Sequence, residues 1–72
     1  MIRVSRRFVE TIKLADQPSY RIAWKAGIHP VLLSKIIHGY ERIHPNDGRV
    51  ITVGKIIGLK SEECFDIEAE NE

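Results

Sequence analysis

Cysteine occurs once in the 72 residues, at Cys64, so no intrachain disulfide can form and a reducing compartment is expected. Long apolar runs are also missing. None exceeds the length of Val31-Leu32-Leu33, and no apolar segment follows the charged residues of the N-terminal stretch. Neither a membrane span nor a signal peptide is expected, which points to the cytoplasm. No internal repeat or low-complexity segment occurs, and the length allows one domain with a small core.

Basic residues are absent from 61–72, which holds six acids. Residues 1–60 hold all 11 Lys and Arg against only 4 acids (Glu10, Asp16, Glu41 and Asp47), and 11 minus 4 leaves +7. The formal net charge of +1 therefore conceals a basic body and an acidic tail, a distribution typical of a nucleic-acid-binding face. A solvated tail that aids solubility would explain the tail alone.

Catalytic constellations are lacking. There is no glycine-rich phosphate loop, no pair of acids in a credible cleft and no nucleophile with an adjacent base, so no enzyme is expected. Cys64 reads as a small buried thiol. His29, His38 and His44 are spaced by nine and six residues, which fits no zinc pattern. No metal, cofactor or small-molecule ligand is expected, and no sensing domain is expected either.

What is present is a periodic centre over residues 19–39, SYRIAWKAGIHPVLLSKIIHG. Ile22, Ala23 and Ala26 share one helical face, and the two alanines let another helix approach closely. Gly27 supplies the positive φ of a left-handed turn, Ile28 plugs that turn, and Pro30 opens a new helix where a missing N–H costs nothing. Gly39 should end that helix as Gly27 ends the first. The pattern predicts two helices joined by a sharp corner.

On the second of these helices, Ile36 and Ile37 lie within about 60° of Leu33 at 100° per residue and form an apolar stripe. Val31, Ser34, Lys35 and His38 cluster on the opposite side. These are a methyl pair, a hydroxyl, a cation and an imidazole, a set able to meet thymine methyls and the polar base edges of a DNA major groove. His29, just before the helix, should lie beside the groove floor. Any amphipathic helix has a polar face, so this feature alone leaves both readings open.

The remaining chain is read from caps and periodicity. Residues 1–4 are expected to be extended or frayed, since a strand there would need a partner. A first helix is expected over 5–14, capped by Ser5, with Phe8, Ile12 and Ala15 inward and Arg6, Arg7 and Glu10 outward. The next should be capped by Asp16 or Gln17, with Pro18 in its first turn. Exposed N–H groups at its start, with the Ser19 and Tyr20 hydroxyls, are candidates to hold a phosphate, as is Arg21 on its outer face. Trp24 points about 200° from Ile22 and is expected to pack on the N-terminal arm or a second subunit. Ile43 should turn inward. Asn46 or Asp47 should cap a fourth helix ending at Ile57 and stopped by Gly58, with Val50, Val53, Gly54 and Ile57 as its core stripe. Ser61 should cap a last helix, with Cys64 and Phe65 closing the core. Ile51 and Ile56 flank the stripe and are candidates, with Trp24, for a homodimer surface.

The spacing Ile22-Ala23, Gly27-Ile28, Leu33-Ser34, Ile36 and Gly39 resembles the helix-turn-helix of the Cro and phage-repressor (Xre-like) family of transcriptional regulators. The similarity continues through Val50, Val53, Gly54, Ile57, Gly58, Leu59 and Phe65, roughly residues 5–66. Three positions depart from it: Ser19 stands where glutamine is common, His29-Pro30 replaces a Ser/Thr and a polar residue, and Trp24 takes a polar slot. The resemblance implies an all-α, lambda-repressor-like bundle of five short helices over residues 1–66, followed by a disordered acidic tail over 67–72. It implies a cytoplasmic, nucleoid-associated, phage-type or mobile-element repressor that binds double-stranded DNA and lays residues 30–38 in a major groove. Base contacts would fall to His29, Val31, Ser34, Lys35 and His38. Phosphate contacts would fall to Ser19, Tyr20, Arg21, the start of the fourth helix, and Arg42 and His44, which sit where the family has backbone-binding loops. The alternative is the same fold used as a protein-interaction module, such as an antitoxin or a phage adaptor.

Overall fold

Glycines at helix ends set the path of the chain. The computed structural model describes residues 2–67. Along it run strand β1 (Ile2–Val4), helices α1 (Arg6–Lys13), α2 (Ser19–Lys25), α3 (Pro30–Ile37), α4 (Gly48–Ile56) and α5 (Ser61–Cys64), and strand β2 (Phe65–Ile67). Gly27 and Gly39 take φ of 77° and 80°, values that a side chain would strain. Each lets the next residue turn back on the helix just ended. The Ile28 N–H donates to the Ala23 carbonyl at 3.0 Å, and the Tyr40 N–H to that of Lys35 at 2.8 Å. Leu59 closes α4 in the same way on Gly54, at 2.8 Å. These are the five-residue-back bonds of the Schellman motif, which satisfy carbonyls that a helix end would otherwise leave orphaned.

The starts of the helices follow the expected chemistry less uniformly. The Ser5 hydroxyl caps α1 by accepting from the Phe8 N–H at 3.0 Å, and the Asp47 carboxylate caps α4 by accepting from the Arg49 N–H at 3.1 Å. Helix α2 begins later than expected: Pro18 is its cap, with no side-chain bond, and neither Asp16 nor Gln17 takes that role. Helix α5 is capped by Lys60 instead of Ser61, because Glu63 folds back to accept from the Lys60 N–H at 2.9 Å. Helix α3 stops at Ile37, with His38 as its C-cap, and α4 stops at Ile56, with Ile57 as its C-cap.

Burial matches the helical periodicity. Phe8 and Ile12 of α1, Ile22 and Ala23 of α2, Leu33 and Ile36 of α3, Val50 and Val53 of α4, and Cys64 of α5 form one core, with Val4 and Ile43 at its edge. Helix α2 packs on α3 and α4, and α5 packs on α4 and α1. Ile57, expected in the core stripe, is only half-buried, since it lies past the last turn of α4. Phe65, also half-buried, belongs to β2.

The all-α expectation is corrected by a two-stranded antiparallel sheet in an otherwise mainly helical domain. Ile2 pairs with Ile67, Arg3 with Asp66 and Val4 with Phe65, so the N-terminal segment finds its partner at the far end of the chain. The tail expected over 67–72 loses its first residue to β2, and residues 68–72 lie outside the described residues. Ser5 fixes this closure: its hydroxyl donates to the Glu63 carbonyl at 2.6 Å and its N–H to the Cys64 carbonyl at 2.8 Å.

Gly54 lies at a close contact between α4 and α5. A Cβ built there would overlap the Cys64 sulfur, which is itself fully buried and donates to the Lys60 carbonyl at 3.3 Å. Burial, and behind it the Glu63 charge, pushes the Cys64 thiol up, so it stays protonated as that donor. Alanine at 54 would gain about 1 kcal/mol of helix propensity but meets an overpacking cost of about 1–3 kcal/mol. Combining Gly54→Ala with Cys64→Ala removes the obstacle. In urea unfolding, Cys64→Ala should therefore cost at least about 1 kcal/mol less in the Gly54→Ala background than in the parent; strict additivity would refute the contact.

Candidate functional site

Helix α3 divides cleanly into two faces. Leu33 and Ile36 are buried, Leu32 and Ile37 are half-buried, and Val31, Ser34, Lys35 and His38 are exposed. Val31, an apolar residue, is 55% exposed, which distinguishes it from the core residues of the same helix. The sequence placed these four side chains on one outward face, and that is where they lie. His29 is also exposed, but its ring is not free on both sides: Nδ1 accepts from the Val31 N–H at 3.1 Å and so caps α3. At the other end, His38 Nδ1 lies 2.8 Å from the Ser34 carbonyl and 3.4 Å from the Ser34 hydroxyl. The His38 ring also lies nearly parallel to that of Tyr40, with centroids 6.5 Å apart and 28° between planes.

The residues expected to meet phosphate divide into two groups. Ser19 shares one groove with Lys13, Gln17, Ser34 and His38, where the start of α2 comes up beside the outer face of α3. Tyr20 and Arg21 are exposed on the first turn of α2. Arg42 instead lines a separate groove with Tyr40, Glu41 and strand β1, and His44 is exposed in the following loop.

The start of α4, also expected to contact phosphate, is occupied by charges of the chain itself. Asp47 is buried, and Arg49 donates to it from Nε at 3.0 Å and from a terminal nitrogen at 2.8 Å. Arg49 also donates to Glu41 at 3.0 Å and to the Arg42 carbonyl at 3.2 Å, and the His44 N–H donates to Asp47 at 3.3 Å. One arginine thus ties the loop over residues 41–47 to the first turn of α4 and has no donor fork left to offer a phosphate. The pairing raises the Arg49 guanidinium further above its ordinary value, first through Asp47 and then through Glu41. Sequence reasoning missed this cluster. A cation in the first turn of a helix opposes the macrodipole and was the available sign that Arg49 has acidic partners.

Other cations are placed less tightly. Arg7 approaches Glu63 at 3.3 Å with most of its side chain in solvent, a pair of small energetic weight. Trp24 does not pack on the N-terminal arm. It is 64% exposed and meets Tyr20, one turn earlier on α2, edge to face at 5.2 Å. Ile51 and Ile56 are half-buried. Among the described residues no group of three His, Cys, Asp or Glu is placed to hold a metal ion, and no helix is long and apolar enough to cross a membrane.

Compared with family models, with curated proteins and with solved structures, the chain gives no match.

The Arg49 cluster generates a pH prediction. Hydrogen bonds from the Arg49 side chain hold the Asp47 carboxyl down from 3.8 to about 2; partial burial opposes this, and the N–H groups of Arg49 and His44 add to it. Because the folded value is depressed, the charge stabilises the fold above about pH 4, and that contribution is lost as pH falls towards 2. Asp47→Asn keeps a capping oxygen but loses the charge. It should cost about 2 kcal/mol at neutral pH and flatten the fall in urea midpoint between about pH 4 and 2. An unchanged pH profile would remove Asp47 from the account.

Proposed function

We propose that the chain is a sequence-specific binder of double-stranded DNA, a helix-turn-helix regulator of the lambda-repressor-like kind that docks α3 in a major groove. The observation that carries this reading is the outward face of α3. A helix whose other side is held by Leu33 and Ile36 presents a cation, a hydroxyl, an imidazole and a methyl pair to solvent, with none of the four buried among the described residues. On a duplex, Lys35 would donate to guanine, Ser34 would bond either kind of polar base edge, and Val31 would meet a thymine methyl. Ser19, Tyr20 and Arg21 at the start of α2, and Arg42 and His44 in the loop after α3, would hold phosphates and fix register. Arg49 is not among these contacts, because its guanidinium is engaged by Asp47, Glu41 and the Arg42 carbonyl. Regulation would follow from occupancy of an operator, blocking or recruiting polymerase.

The exposed Tyr20–Trp24 pair favours a second reading, an antitoxin or adaptor that uses the same fold to hold a protein. A gel shift against random duplex at low salt separates the two, since a basic groove-binding face retards DNA and a protein-binding module need not. With a duplex enriched from a random pool, Lys35→Ala and Ser34→Ala should each weaken specific binding by about five- to a hundredfold and nonspecific binding far less. Lys35→Ala should also shallow the salt dependence by about one phosphate's worth if that ammonium meets backbone as well as base. Equal binding by both variants and the parent would refute the assignment of this face. The two-fold partner proposed for Ile51 and Ile56 predicts a sedimentation mass that rises towards the dimer with concentration, and a monomer mass throughout would remove it.

A further inference from the structure

The imidazoles at the two ends of α3 are held by the same ring atom in opposite senses. At the amino end, His29 Nδ1 faces the Val31 N–H, a group with no lone pair, so Nδ1 must accept and the ring proton of the neutral form must sit on Nε2. At the carboxyl end, His38 Nδ1 faces the Ser34 carbonyl, a group with no proton, so Nδ1 must donate and Nε2 is left bare. The Ser34 hydroxyl lies further from Nδ1 than the carbonyl does, at 3.4 Å, and the Tyr40 ring lies alongside at a centroid distance of 6.5 Å. Both rings are exposed, and among the described residues neither Nε2 has a hydrogen-bond partner.

We infer that α3 reads its ligand with a fixed polarity, His29 presenting an N–H donor at one end and His38 a lone-pair acceptor at the other, so that the base facing His38 carries an exocyclic amino group. This rests on the major-groove reading of α3 given above. His29 discriminates weakly, because every purine offers an N7 acceptor in the major groove. His38 discriminates sharply. Adenine N6 and cytosine N4 would donate to its Nε2, whereas guanine O6 and thymine O4 would set one acceptor against another. The tautomers follow from backbone partners within the helix itself, so they exist before any ligand arrives.

Two measurements on the full chain test this independently. Long-range proton–nitrogen NMR of the neutral rings should show a protonated Nδ1 and a bare Nε2 on His38, and the reverse on His29. A random duplex pool enriched on the parent should then hold one position at adenine or cytosine, and enrichment on His38→Ala should relax that position to all four bases. Removing the amino group there, by placing purine for adenine or pyrimidinone for cytosine, should weaken the parent about five- to tenfold and leave His38→Ala unaffected. His38 is exposed and follows the last residue of α3, so the variant should stay folded and lose only the bond to the Ser34 carbonyl, and the base analogues test the parent without any substitution. Reversed tautomers, or an enriched site whose preferences His38→Ala leaves intact, would overturn the inference while α3 remained a DNA reader. If no duplex is enriched by the parent at all, the DNA reading falls and this inference with it.

Discussion

Two of the three hydrogen bonds on Ser5 tie the start of α1 to the end of α5. The hydroxyl accepts from the Phe8 N–H and donates to the Glu63 carbonyl, while the Ser5 N–H donates to the Cys64 carbonyl. One residue thereby caps α1, satisfies carbonyls at the end of α5 and sets the register in which β1 meets β2. A small domain buries little apolar surface and depends on such junctions, because each polar group left unsatisfied in a partly buried place costs about 1–3 kcal/mol. The placement of α5 then fixes Cys64 over Gly54, and so the distance at which α5 and α4 pack. Alanine at position 5 would leave a donor on Phe8 and an acceptor on Glu63 without their partner, which no single surface contact elsewhere in the fold could replace.

The contrast between what the sequence disclosed and what it concealed follows sequence separation. Gly27, Gly39 and Gly58 read as helix stops because the need for positive φ is local, and all three have it. Ser5 and Asp47 read as caps for the same reason. Hidden from the sequence were the features built from distant partners: the pairing of Ile2–Val4 with Phe65–Ile67, the second and third bonds of Ser5, and the bond from Arg49 back to Glu41. The acidic composition that made residue 67 look like tail does not prevent strand pairing, since the backbone supplies those bonds. For Trp24 the helical angle gives only that it points away from the core, and its contact with Tyr20 is a local one, one turn back on α2.

The candidate site was legible in part, for a related reason. Periodicity alone separates Leu33 and Ile36 from Ser34 and Lys35, so which residues of α3 face outward is a matter of counting. Counting does not reveal which of those side chains have already spent their hydrogen-bonding groups. Arg49 stands at the helix start expected to contact phosphate, yet its fork is committed to Asp47 and Glu41 and holds the loop over residues 41–47 in place. The positions of Arg42 and His44 therefore depend on the ion-pair cluster of Arg49, Asp47 and Glu41.

Helix α3 is eight residues long, too short to persist in water on its own, so its geometry must come from its caps and its buried side. At the amino end the cap is an imidazole, an unusual choice where a serine or aspartate would ordinarily serve. If α3 reads DNA as proposed, that choice would tie folding to recognition in one ring: the nitrogen that accepts from the Val31 N–H decides which nitrogen is left with a proton. Alanine at His29 removes both functions together and cannot tell them apart. Serine restores the cap and removes only the outward donor, so the difference between the two substitutions, rather than either alone, measures what the ring contributes beyond holding the helix.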